Sequence, residues 1–237
     1  MPYNQLLTTL KALGQAATDL VFPVSCLVCG RENAYLCARC TDSLPRQKQQ
    51  CLVCQKPSPF GKTHPDCTSR NTVDGFVTSL PYSHPDVKKI ITAFKFSFVD
   101  TLAGSLASLM IQAIRQQGLQ DYFGKFTLIP VPLHPRRLKW RGFNQSQLLA
   151  DKLASQLNLP AASGLIRTKN TKPQADLDRE SRKTNITDAF AVAKEVTGQK
   201  ILLVDDVATT GTTLNEIAKL LKQAHVGEVW AITAAHG

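Results

Sequence analysis

The chain of 237 residues has no run of eighteen apolar residues, so no stretch of it reads as a membrane-spanning helix. No Gly-Lys-Ser/Thr follows its strongest strand-like run, which excludes a Walker-type phosphate loop. No cysteine lies outside Cys26–Cys67, and seven is an odd number, which argues against a disulfide framework. Acid is scarce, with 18 Asp and Glu against 28 Lys and Arg and a formal charge of +10. The excess gathers in residues 81–150, whereas residues 200–237 lean acidic. Such a division suits a ligand with several phosphates or a single-stranded nucleic acid. Apolar content is ordinary for a soluble globular chain. The first residues also lack a signal-peptide core, because Thr8, Thr9, Lys11, Gln15 and Thr18 interrupt it. The expectation is a cytoplasmic protein. Leu6, Leu10, Leu13, Ala17 and Leu20 instead predict an amphipathic helix over residues 1–22, suited to docking or to a membrane surface.

The cysteines are ordered. Cys26-x-x-Cys29, Cys37-x-x-Cys40, Cys51-x-x-Cys54 and His64-x-x-Cys67 supply eight potential ligands, the number that two tetrahedral zinc ions need. Sequential pairing puts Cys26, Cys29, Cys37 and Cys40 on one ion and Cys51, Cys54, His64 and Cys67 on the other; a cross-braced pairing is the alternative. Four protein ligands leave no open position, so both ions are expected to be structural. Metal-bound thiolates would also lower the formal positive charge.

The stretch that organises the rest is Ile201–Thr213. Ile201 to Val204 are apolar and predict a strand buried on both faces. Asp205 and Asp206 follow, then Val207, Ala208, Thr209, Thr210, Gly211, Thr212 and Thr213, then the helical spacing of Leu214, Ile217, Ala218 and Leu221. Backbone N–H groups at a helix start, with hydroxyls and a permissive glycine, make an anion cradle. Two carboxylates beside it can accept hydrogen bonds from a diol or face a hydrated divalent cation. Phosphate with sugar hydroxyls describes a phosphorylated ribose.

Upstream, Gly75–Tyr82 predicts a strand, and Pro85 opens a helix with Val87, Ile90, Ile91 and Phe94 on its buried face. A second helix carries Leu102, Leu106, Leu109 and Ile114. Phe126–Pro132 predicts another strand, running into a basic loop with Arg136, Arg137, Lys139 and Arg141 interleaved with Trp140 and Phe143. Asn144 is placed to cap the next helix. Loops that follow parallel strands share one sheet edge, so this one is expected near Asp205 and Asp206. Glu228–Ala235 completes an alternating strand–helix order.

Residues 201–213 resemble the fingerprint of the type I phosphoribosyltransferases, which bind phosphoribosyl pyrophosphate (PRPP). The segment PVPLHPRRLKWRGFNQSQLLADKLA, together with Ile166, Arg167, Gln174, Leu177, Arg182, Asn185, Ala189 and Phe190, resembles the ComF/GntX family. That resemblance implies an α/β fold, a type I phosphoribosyltransferase-like parallel sheet flanked by helices over residues 73–237, with a small double zinc ribbon over 23–72. It implies that residues 136–141 form the pyrophosphate loop and that Arg167, Gln174, Arg182 and Asn185 belong to a flexible loop closing over PRPP. It also implies catalytic positioning by Asp205 and Asp206, Mg²⁺ bound with PRPP, and a part in DNA uptake or use of imported DNA. Single-stranded DNA and a DNA-uptake helicase or channel protein are the partners it suggests. A DNA-binding or scaffold role without transferase turnover is the alternative. Two departures stand out. Thr209 occupies the position where purine-salvage relatives carry an aspartate, and Ser97 and Phe98 replace the usual basic residue and glycine after Lys95-Phe96. Little chain follows the last strand to build a hood over an acceptor.

Overall fold

A computed structural model describes residues 24–96, 101–169, 188–193, 196 and 200–237. The expected helix over 1–22, as well as Gln174, Arg182 and Asn185, falls outside the described residues. The chain divides into two compact units, Met1–Ser43 and Leu44–Gly237. The boundary falls within the segment expected as one zinc module, so the four-cysteine set and the set that includes His64 belong to different units.

The described part of the smaller unit is a knuckle followed by a short helix, α1 (Ala38–Ser43). Cys26 N–H donates to the Arg31 carbonyl at 2.8 Å, and Gly30 N–H donates to Cys26 at 2.8 Å. Gly30 has φ +73° with open space where a Cβ would be, so its role is to turn the chain.

The larger unit is built on a four-stranded parallel sheet, with strands β1 (Gly75–Pro81), β2 (Phe126–Pro130), β5 (Lys200–Ala208) and β6 (Glu228–His236) in the order β1-β6-β5-β2. Ile201–Val204 of β5 and Val229–His236 of β6 are continuously buried, which is why Ile201–Val204 reads as an apolar run rather than an alternating one. Helices α2 (Pro85–Phe96), α3 (Leu102–Gln116) and α4 (Gln120–Phe123) carry the chain from β1 to β2. Helices α5 (Pro135–Arg141) and α6 (Gln145–Leu157) follow β2, and α7 (Thr212–Gln223) links β5 to β6. A short antiparallel pair, β3 (Leu165–Arg167) with β4 (Phe190–Val192), stands apart from the main sheet. On one side, α7 closes Leu214, Ile217, Ala218 and Leu221 over Ile201, Leu203, Val229 and Ala231 in one apolar core. Burial of such side chains stabilises by about 1.5–3 kcal/mol each.

Two elements differ from the sequence expectation. The strand expected to stop at Val204 runs on to Ala208, because Asp205 and Val207 keep register with Thr233 and Ala235 of β6. The basic loop after β2 is a helix: Pro135 sits in its first turn, His134 caps it by accepting from Arg136 N–H, and Gly142 ends it at φ +81°. The Asn144 cap is present, with its side chain accepting from Ser146 N–H at 3.1 Å. No helix among the described residues is long and apolar enough to cross a membrane.

Candidate phosphoribosyl site and metal knuckles

Strands β2 and β5 are neighbours and parallel, so the turns leaving their carboxyl ends open on the same edge of the sheet. Asp205 and Asp206 lie on β5 just before that edge. Asp205 Oδ1 accepts from Ser146 Oγ at 2.8 Å and from Asp206 N–H at 2.9 Å. Asp206, 7% exposed, pairs with Lys95 Nζ at 3.2 Å. Among the described residues the Oδ2 atoms of both carboxylates remain without a hydrogen bond. Burial and the neighbouring Asp206 charge push the Asp205 carboxyl up to about 7, against the opposing pull of Ser146 and Lys95. Sequence reasoning missed Ser146 and gave Lys95 no definite role. A buried acidic pair needs a donor and a cation near it, but nothing local to Asp205 and Asp206 in the sequence says which residues supply them.

Beyond Ala208 the loop turns at Gly211, φ +72°, into the N-terminus of α7. Thr210 and Thr212 hydroxyls lie 2.7 Å apart across the turn. No side chain caps the helix. Its first amides therefore point into the loop with Thr209, Thr210, Thr212 and Thr213 around them, the arrangement that favours an anion.

The cations converge from two elements. Arg136, Arg137, Lys139 and Arg141 lie on α5, and Arg167 on β3. Burial pushes the Arg141 guanidinium down, as does Arg137 nearby, while the Asp206 carboxylate pulls it up, so Arg141 stands within the field of Asp206. Arg167 is lowered to about 10 by burial and by Arg137, while Asp205 pulls the other way. Arg141 also donates to Gln145 Oε1 at 2.7 Å and lies over the Phe96 ring at 5.0 Å. An apolar cleft of about 420 Å³ adjoins them, lined in part by Leu138, Phe143, Ile166 and Arg167.

The eight metal-ligand candidates come together as Cys26, Cys29, Cys37 and Cys40 and as Cys51, Cys54, His64 and Cys67, with the ligand atoms of each set within 4.8 Å of one another. Cys29 and Cys37 sulfurs are 3.8 Å apart, and Cys54 Sγ lies 3.3 Å from His64 Nδ1. A tetrahedral zinc with Zn–S near 2.3 Å and Zn–N near 2.0 Å separates its ligands by roughly those amounts. In the first set burial acts to raise Cys26, but amide N–H donors from Cys37, Cys29 and Val28 outweigh it and bring the thiol down to about 6. Such knuckle amides hold a thiolate ready for a metal. Both sets fit structural zinc.

Fold and site define a phosphoribosyl transferase domain joined to a double zinc ribbon. The phosphoribosyl transferase domain family matches residues 144–236, and the double zinc ribbon domain family matches residues 17–68. The chain is 33% identical to competence protein F of Haemophilus influenzae, over 84% of each chain. It is 34% identical to the DNA utilization protein YhgH of Escherichia coli over 87% of this chain and 88% of that one. It is 23% identical to competence protein ComFC of Streptococcus pneumoniae over 91% and 94%. The chain belongs to the competence protein F family.

Proposed function

We propose that the protein binds PRPP or a related ribose phosphate at the carboxyl edge of β5 and β2. The single observation that carries this is the meeting of a buried acidic pair, a threonine-lined helix start and the fields of Arg137, Arg141 and Arg167 at one sheet edge. The 208–213 loop would hold the 5′-phosphate through backbone N–H groups and hydroxyls. Asp205 and Asp206 would accept from the ribose 2′- and 3′-hydroxyls, with Lys95 moving off Asp206 as the ligand enters. The arginines would face the pyrophosphate. The acidic pair suits Mg²⁺ held with the ligand, and that ion would add positive charge beside the leaving group. Transfer, where it occurs, would rest on positioning and charge rather than on a nucleophile. The apolar cleft beside Phe143 would take the acceptor. Calorimetric titration with PRPP tests the site: binding is expected in the wild type and its loss in Asp206→Ala. Unchanged affinity in that variant overturns the assignment. Pyrophosphate release, screened across bases, amines and single-stranded DNA, decides whether binding leads to turnover.

The names of the relatives support a role in DNA uptake or in the use of imported DNA. A second reading, binding of single-stranded DNA, is favoured by one feature. Trp140 is 68% exposed and Phe96 50% exposed, edge to face at 6.0 Å beside the α5 cations. Exposed rings next to arginines make a stacking platform for bases. Trp140→Ala and charge reversal at Arg136 and Lys139 are expected to weaken single-stranded DNA binding and flatten its salt dependence. Equal affinity in these variants would remove this reading.

A further inference from the structure

We infer that the second metal knuckle is a positioning element for the 208–213 loop, acting through Leu52 and through a Gln50–His236–Thr209 hydrogen-bond chain. Leu52 stands between the ligands Cys51 and Cys54, is fully buried, and belongs to the same core cluster as Phe76, Ala208 and Leu214. Gly211 lies directly against it, so closely that a Cβ there would collide with the Leu52 side chain. The loop glycine is thus required twice, for its left-handed backbone and for the leucine it rests on.

The second connection is polar. Gln50 Nε2 lies 2.9 Å from His236 Nδ1, and His236 Nε2 lies 3.1 Å from the Thr209 carbonyl. An amide nitrogen only donates, so Nδ1 accepts and Nε2 carries the proton given to Thr209. His236 is buried, with its ring edge-on to Phe76 at 5.1 Å. The residue before the first ligand of the knuckle is therefore tied to the backbone of the loop through a single imidazole. The knuckle itself is closed by Cys51 N–H to Lys56 at 2.9 Å and Gln55 N–H to Cys51 at 2.8 Å. A metal on Cys51, Cys54, His64 and Cys67 would fix the residues on either side of Cys51 at once. Neither Leu52 nor His236 touches the carboxylates, so both are positioning residues.

The ligand arm of this inference rests on the reading of the loop as a phosphate cradle; its rigidity arm does not. Full-length zinc-loaded protein is compared with Gln50→Ala, His236→Phe and Cys54→Ser by hydrogen exchange of the 208–213 amides without ligand. PRPP titration and zinc content are measured alongside. Gln50→Ala and His236→Phe are expected to retain full zinc and to speed loop exchange by roughly 3–10-fold, with helix α3 unchanged, since the first loses one hydrogen bond of the chain and the second loses both, including the one to Thr209. Cys54→Ser is expected to lose one zinc and to speed loop exchange about 10-fold or more. PRPP affinity should fall in the same order. Unchanged loop exchange in both Gln50→Ala and His236→Phe overturns the inference, whatever Cys54→Ser does. If exchange in α3 rises in Cys54→Ser, that variant has lost its fold and the two ligand-preserving variants decide. If the wild type binds no PRPP, the phosphate reading fails, while loop exchange still decides whether the knuckle holds the loop.

Discussion

The chain contains the same tetrapeptide twice, Cys26-Leu27-Val28-Cys29 and Cys51-Leu52-Val53-Cys54. Both copies fold into the same turn. Each first cysteine receives an amide bond from the residue four further on, Gly30 at φ +73° and Gln55 at φ +59°, both at 2.8 Å. Yet Leu27 is only half-buried, whereas Leu52 is sealed beneath Gly211 in the core of the larger unit. Identical local chemistry therefore does two kinds of work. The first knuckle organises the described part of the smaller unit, residues 24–43, whose buried apolar side chains are Cys26, Leu36 and Cys40, so a metal there would substitute for a core. The second is part of the core that carries the threonine loop.

The strongest way to break this contrast is to remove each metal in turn. Cys51→Ser with Cys54→Ser is expected to lower the main unfolding transition by an amount matching several kcal/mol, because the knuckle and the sheet share one apolar cluster. Cys26→Ser with Cys29→Ser should leave that transition nearly in place. Scanning calorimetry on the full chain makes the comparison, and equal shifts would dissolve it.

A gentler version changes one leucine at a time. Leu52→Ala is expected to cost about 2–5 kcal/mol, and Leu27→Ala less than about 1 kcal/mol, read from urea midpoints of the larger unit. Comparable losses would mean that the two leucines are equally supported.

Charge at the strand end sharpens the comparison from the other side of the loop. Asp205 is raised in the folded protein, so its cost is absent below the unfolded carboxyl value, grows as pH rises from about 4 to 7, and is full above that. Asp205→Asn should therefore gain stability relative to wild type by about 1–3 kcal/mol at pH 8 and by little near pH 4. A gain that does not change with pH would show that the acidic pair is not the source. Lys95→Ala should have a smaller effect than Asp205→Asn, a loss of about 1 kcal/mol at neutral pH, because Lys95 is partly solvated where it meets Asp206. Thermal melts of Lys95→Ala beside Lys95→Ala/Asp206→Asn would test it, since the loss should shrink once the carboxylate is gone.

Much of this was legible in the chain itself. Four apolar residues in a row mark a buried strand, although that strand carries both aspartates within it and runs on to Ala208, and the regular spacing of cysteines and one histidine needs no tertiary information to suggest two metals. Helix boundaries at Pro85 and Asn144 were equally plain, because proline and a capping amide act on their immediate neighbours. The helical turn over the α5 arginines was less plain. Its cap, His134, is an uncommon one, and the dense charge resembles a loop. Ser146 beside Asp205, Lys95 on Asp206 and His236 under Thr209 were not legible, since each pair is far apart in sequence and meets only when the parallel sheet closes. Local bonding fixes what a Cys-Leu-Val-Cys turn looks like. Only packing decides whether its leucine faces water or supports a loop, because burial depends on which distant segment arrives above it.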